Sequence, residues 1–192
     1  MKPLHLICND KKENVSNAYA HYFYVINKYV YACDGNCLIK MPTSLVFDDV
    51  EFSESDYFAF SGKQWESAKF HTSKKIRRVG NTFINESNNE CSIKPLAHSE
   101  ISWWVPDFET SFPTEEMPVL KTSFVSFNPE LVATLVKILD YHMVTLQFYG
   151  SSKPIEILPV KSEYLNGSRA VVMPCIPDLS VLKQTTETET EG

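Results

Sequence analysis

The stretch Tyr29-Val30-Tyr31-Ala32-Cys33-Asp34-Gly35-Asn36-Cys37-Leu38 decides the fold. Its first five residues are aromatic, β-branched or small and apolar, the make-up of a half-buried strand. Asp34-Gly35 then breaks the run as a turn dipeptide, because Asp caps nearby backbone N–H groups and Gly accepts positive φ. A strand resumes over residues 37–45 and runs up to Val46-Phe47. On the other side, residues 19–27 are just as rich in aromatic and β-branched side chains. The short link Asn27-Lys28 predicts a hairpin there.

Outward from this centre the pattern stays one of short strands. Residues 3–9 read as a first strand, and 10–17 are polar and ambiguous. Residues 48–56 form an acidic loop with Asp48, Asp49, Glu51, Glu54 and Asp56. Residues 57–60 are short and apolar. A helix is predicted over about 61–72, with Trp65, Ala68 and Thr72 on one face. Strands are expected over 76–86 and 89–95, around a loop at 87–89, and again over 101–105. Pro106, Pro113 and Pro118 bracket a polar connector and mark a domain boundary. Residues 119–127 read as a strand. Asn128-Pro129 then starts a helix, with Asn as N-cap and Pro at the first position. Leu131, Leu135, Ile138 and Leu139 share its apolar face. Strands at 143–149, 154–160 and 169–176 follow, and residues 184–192 form a Thr/Glu tail without apolar residues, expected to be disordered. A unit of strand, helix and three strands thus recurs at roughly 55–60 residues. The fold class is α+β, with helices on one face and antiparallel sheets on the other. The expected divisions are 1–113, 114–180 and an acidic tail at 181–192.

With 192 residues, 43% hydrophobic and 22% charged, the chain can bury a sizeable core and is not globally disordered. Its net charge of −6, from 18 Lys+Arg and 24 Asp+Glu, argues against a general polyanion binder but leaves room for a basic patch. No apolar run reaches the roughly 18 residues that a membrane span needs. The first ten residues hold too short an apolar stretch for a signal peptide. Five cysteines, an odd number, then suggest reduced thiols in a cytoplasmic setting. Cys33 and Cys37 are close in sequence, but His71, His98 and His142 are scattered singly, so no metal site is expected. There is no Gly-x-Ser-x-Gly elbow, Walker A loop or Gly-x-Gly-x-x-Gly among only six glycines. No catalytic residue or cofactor is assigned. Asp34 reads as a structural turn residue, and Trp103-Trp104 as either a stacking pair or, for at least one of them, core.

Three segments in order resemble the bacterial DNA polymerase sliding clamp (β subunit) family. Ala32, Asp34, Gly35 and Leu38 match the family's ATDGHRL segment, while Cys33, Asn36 and Cys37 depart from it. Val105-Pro106-Asp107-Phe108, with Ser111-Phe112-Pro113, resembles its FPDY segment and the following proline. Phe127-Asn128-Pro129 opening a helix, and Ala170-Val171-Val172-Met173-Pro174-Cys175-Ile176, resemble its VVMPMRL ending. The resemblance spans roughly residues 17–176. It implies sliding-clamp repeats, about three where the family subunit has six. Residues 1–113 resemble the middle domain, and 114–180 the end of the last domain. A family ring contains twelve repeats, so four copies, or three with a hidden degenerate repeat near residues 1–20, would close one. The resemblance therefore implies a homo-oligomer, and so short a clamp would suit a phage or mobile element.

Two surfaces follow. Residues 63–78 carry Lys63, Lys69, Lys74, Lys75, Arg77 and Arg78 against Glu66 alone, a window of +5 on a chain otherwise at −11. Phosphate binding needs such flexible cations and no base-reading geometry, and in a clamp this region faces duplex DNA. The alternative is a solvated basic face. The third helix, with Glu130, Lys137 and Asp140, does not extend the positive lining. The second surface is a groove that captures short motifs from polymerases and repair proteins. Matched to its walls are Cys33, Gly35, Asn36, Cys37, Leu38, Pro113, Val171, Met173, Pro174, Cys175 and Ile176, the apolar ones forming the concavity. Its alternative is a buried edge strand at 171–175. The expected activity is a non-enzymatic DNA-tethering or processivity factor. The competing readings are a clamp-derived adaptor that does not encircle DNA, and an unrelated α+β binding module.

Overall fold

The computed structural model describes residues 2–8, 18–47, 50–97, 105–119, 125–150, 152–161 and 166–175. Strands β1 (Tyr22–Ile26), β2 (Tyr29–Cys33) and β3 (Cys37–Pro42) form an antiparallel meander. The β1–β2 link works because Asn27 and Lys28 both take the left-handed conformation, at φ 50 and 66, which twists as the strands do. Asp34 Oδ1 accepts the N–H groups of Asn36 and Cys37, both at 2.8 Å, and Gly35 sits at φ 90. The turn role expected of Asp34 is what the structure shows.

β4 (Tyr57–Ser61) pairs with β1 and leads into helix α1 (Gly62–Ser67). β5 (Ile76–Val79), β6 (Thr82–Asn85) and β7 (Glu90–Ser92) make a separate three-stranded sheet. β8 (Lys94–Pro95) returns to the edge beside β4. Helix α2 (Pro129–Leu139) precedes β9 (Val144–Gln147), β10 (Ile155–Pro159) and β11 (Arg169–Val172). The large sheet has eight strands in the order β8-β4-β1-β2-β3-β11-β10-β9. Its β3–β11 pairing joins the first half of the chain to the last.

Three units are visible: β1–β3, then β4-α1-β5-β6-β7, then α2-β9-β10-β11. Among the described residues, the first has 3-10 turns at Leu4–Leu6 and Ala18–His21, where the others have helices. Leu4–Leu6 replaces the strand expected over 3–9. Leu4, Ile7 and Cys8 are all buried, a spacing that a period-two strand cannot supply. The expected strand over 76–86 is a hairpin, broken at Gly80 with φ 58. Residues 120–124, 101–104 and the tail lie outside the described residues.

Alternation along the strands separates two cores. On the helix side, Phe23, Val25, Phe58 and Phe60 pack with Trp65 of α1 and Leu135, Ile138 and Leu139 of α2. Trp65 is fully buried and meets Phe23 edge-on at 5.1 Å between ring centroids. On the opposite face, Tyr24, Tyr31, Leu38, Ala59 and Val171 lie under Val105, Phe108 and Phe112. Residues 105–119 thus form a strap across the face away from the helices.

Candidate nucleic-acid and peptide interfaces

The basic window begins at α1, where Ser61 Oγ caps the helix by accepting the Gln64 N–H at 3.3 Å. Trp65 and Gly62 face inward, leaving Lys63 exposed. Lys69, at φ 58, ends the turn in the left-handed conformation, and its carbonyl accepts Thr72 Oγ1 and Ser73 Oγ, both at 3.0 Å. Asn85, almost fully buried, locks this corner. Its amide donates to the Ala68 carbonyl at 3.0 Å and to Ser73 Oγ at 3.1 Å, while its oxygen accepts Ser87 and Asn89 N–H groups.

Lys63, Lys69, Lys74, Lys75 and Arg77 are all exposed. Arg78 is different. It lies over the Phe58 ring at 4.5 Å, its Nε donates to the Gly80 carbonyl, and it pairs with Asp56 at 3.5 Å. Five of the six cations are therefore exposed, Lys63 and Lys69 on and just after α1 and Lys74, Lys75 and Arg77 at the start of β5, and the sixth is engaged in packing. Glu86 is the residue that sequence reading missed. The backbone N–H groups of Lys74 and Lys75 donate to its carboxylate at 3.0 and 2.9 Å, and these bonds hold its carboxyl below the usual range. The hairpin turn at Gly80 is the signal that brings it back. On α2, Glu130, Lys137 and Asp140 are exposed, so this helix face keeps its mixed charge.

The β3–β11 pairing gathers most of the second residue set. Val171 stands opposite Leu38 and Val172 opposite Cys37, and the Met173 N–H donates to the Asn36 carbonyl at 2.8 Å. Leu38 and Val171 are buried within the strap-covered core. Cys37 points to the helix side, opposite Cys33. Gly35, Asn36 and Cys175 are exposed, Met173 is 40% exposed, and Pro174 is half-buried. Ile176 lies outside the described residues. The accessible part is thus the Asn36–Met173 rim, while the apolar floor is already filled.

Pro113 instead borders a cavity of about 730 Å³ between the strap and β9–β11, lined also by Glu109, Phe112, Met117, Tyr149, Glu156 and Arg169. Glu156 is nearly fully buried. Arg169 pairs with it at 2.9 Å, donates to the Pro113 carbonyl at 2.7 Å and stacks on Phe112 at 4.8 Å. Tyr149 donates to Glu156 at 2.7 Å, and burial plus that bond push its hydroxyl up to about 12. Glu109 receives Lys40 Nζ at 2.7 Å and the Tyr31 hydroxyl. Burial would raise Glu109, but these two partners overcome it and hold the carboxyl below its ordinary value.

Burial raises the Cys33 thiol to about 11 and the Cys91 thiol to about 12, and pushes Cys37 higher still. Among the described residues, no three His, Cys, Asp or Glu side chains converge on a metal-sized site. Among them, too, no helix is long and apolar enough to cross a membrane.

No protein-family model matches the sequence, and no curated protein matches it. Solved structures do match the fold. The DNA polymerase III β chain of Streptococcus pneumoniae aligns with TM-score 0.55 and 13% identity, over 92% of this chain and 64% of that one. The β subunit of Thermotoga maritima aligns with TM-score 0.55 and 14% identity, over 92% and 65%. The sliding clamp of Pseudomonas aeruginosa bound to griselimycin aligns with TM-score 0.54 and 12% identity, over 92% and 64%. The chain spans less than two thirds of the length of each. The chain has the fold of the bacterial DNA polymerase III β subunit, the sliding clamp, as its three short motifs implied.

Proposed function

We propose that this protein is a clamp-like tethering factor. It holds duplex DNA non-specifically through the exposed cations of residues 63–77, and takes a peptide motif of a polymerase or repair protein on its outer face, away from the helices. The observation that carries this reading is a run of exposed cations in a chain with the clamp fold, together with an acidic strap over the sheet. Lys63, Lys69, Lys74, Lys75 and Arg77 are exposed along the run from α1 into β5, and the acidic strap covers the sheet face away from the helices. Phosphate attraction needs only flexible cations at the surface, and an acidic outer face leaves DNA one side to approach. The role needs no catalytic group. We assign Lys63, Lys69, Lys74, Lys75 and Arg77 to phosphate contact, with Arg78 bracing the loop behind them. The peptide rim is Gly35, Asn36, Met173, Pro174 and Cys175, with Pro113 set apart at the neighbouring cavity. A homo-oligomer in a reducing, cytoplasmic setting fits the free thiols and the repeat count.

The adaptor reading, in which DNA is not encircled, draws on the mixed charge of α2. Retention on a nicked circular duplex against the same duplex linearised separates the two. A tether that encircles DNA stays on the circle and is lost from the linear form. Equal loss from both favours the adaptor.

A further inference from the structure

We propose that the strap, residues 105–119, is a docking site for a basic, extended peptide segment of a partner protein, with one cationic side chain meeting Asp107 in the cavity on one side of Glu109 and one meeting Glu115 at the cavity on the other. The inference rests on the outer-face peptide reading above and gives that peptide its chemistry.

The strap carries Asp107, Glu109, Glu115 and Glu116, and no Lys, Arg or His. Two cavities lie along it and share Glu109 as a wall: the one of about 730 Å³ next to Arg169, and one of about 440 Å³ against Tyr31 and Phe108. The smaller combines aromatic faces with the carboxylates of Asp107 and Glu109, a combination that stabilises an ammonium or guanidinium. The protein already uses this chemistry once. Lys40 Nζ sits 2.7 Å from Glu109 and 4.3 Å from the centre of the Tyr29 ring.

The larger cavity contains one cation, Arg169, which is committed to Glu156, the Pro113 carbonyl and the Phe112 ring. It therefore offers little to an acidic ligand, while Glu115 stands exposed at its rim. Met117 and the 61%-exposed Val119 supply an apolar contact beside it. A peptide alternating basic and apolar residues matches both halves of this lining; an acidic one meets repulsion along the strap.

Two fluorescein-labelled dodecapeptides test this. They share their apolar residues and carry lysines in one and glutamates in the other at the same positions. Each is titrated against the full chain by fluorescence anisotropy, at about 0.05 and 0.3 M salt. The lysine peptide is expected to bind at least about tenfold more tightly, and less tightly at high salt. Glu115→Gln with Glu116→Gln, both exposed, should weaken it about three- to tenfold with an unchanged circular dichroism spectrum. Equal binding of the two peptides overturns the charge assignment, and if Met173→Ala then weakens both, the outer-face reading stands without it. Binding of neither peptide overturns both. Lysine-peptide affinity untouched by the double substitution overturns the strap as the site. So does salt-sensitive self-association, abolished by those substitutions, in place of peptide binding, since the strap then receives the basic window of a second copy.

Discussion

The side-chain amide of Asn85 donates to the carbonyl of Ala68 at 3.0 Å, across seventeen residues of chain. This hydrogen bond ties the β6–β7 turn to the end of α1 and fixes the corner that presents Lys69, Lys74 and Lys75. Asn85→Ala removes four hydrogen bonds at a buried position and leaves their partners to find others. The expected loss is about 2–4 kcal/mol in urea unfolding. A loss below about 0.5 kcal/mol would show that the corner is held by something else.

Glu156 and Arg169 form the best-buried ion pair of the described residues, with Glu156 7% and Arg169 35% exposed at their side chains. Removing the arginine leaves a carboxylate in the sheet with only Tyr149 as partner. Arg169→Ala should cost about 2–3 kcal/mol, below the range for a fully buried pair because Arg169 retains some solvent. Arg169→Lys keeps the charge but loses the fork and the stacking on Phe112, so it should fall between. Chemical denaturation of both variants reads the order directly.

Glu109 latches the strap to β2 and β3 through Tyr31 and Lys40, and its carboxyl is held below the ordinary value. A depressed carboxylate contributes stability above its unfolded pKa, and that contribution fades as pH falls through the folded one. Glu109→Gln should therefore cost under about 1 kcal/mol at pH 7 and progressively less in acid, where the wild-type carboxyl is also neutral. Urea midpoints of the two proteins should converge on acidification. A gap that widens instead would assign the latch to the packing of Phe108 and Phe112.

The sequence carried the local parts of this structure well. Asn27-Lys28, Asp34-Gly35 and Asn128-Pro129 each impose a backbone geometry by themselves, so two hairpin turns and the start of α2 were readable without tertiary contacts. The turn at Gly80 was equally local, but it was hidden in a run of β-forming residues on both sides. Long-range relations were not readable. The return of Glu86 to the Lys74 N–H follows from that hidden Gly80 turn and was missed with it. Leu38 and Val171 read as groove walls because they are apolar and fall in the two segments that match the family's groove. Only the path of the strap decides that Phe108 and Phe112 cover them. Arg78 is chemically identical to Arg77 in the sequence, and strand alternation sends one to Asp56 and the other to solvent.

The central claim is that the exposed cations of residues 63–77 hold DNA, and salt-dependent binding to a short duplex tests it most directly. Anisotropy titrations across a salt series give a slope of log affinity against log salt, whose magnitude is about 0.9 per phosphate that the protein neutralises. Lys69→Glu, Lys74→Glu and Lys75→Glu together should abolish most of the affinity and lower that magnitude by about 2–3. Arg78→Ala should leave the slope nearly unchanged. A wild-type protein that binds duplex DNA with the same slope as the triple variant, or does not bind it at all, contradicts the account.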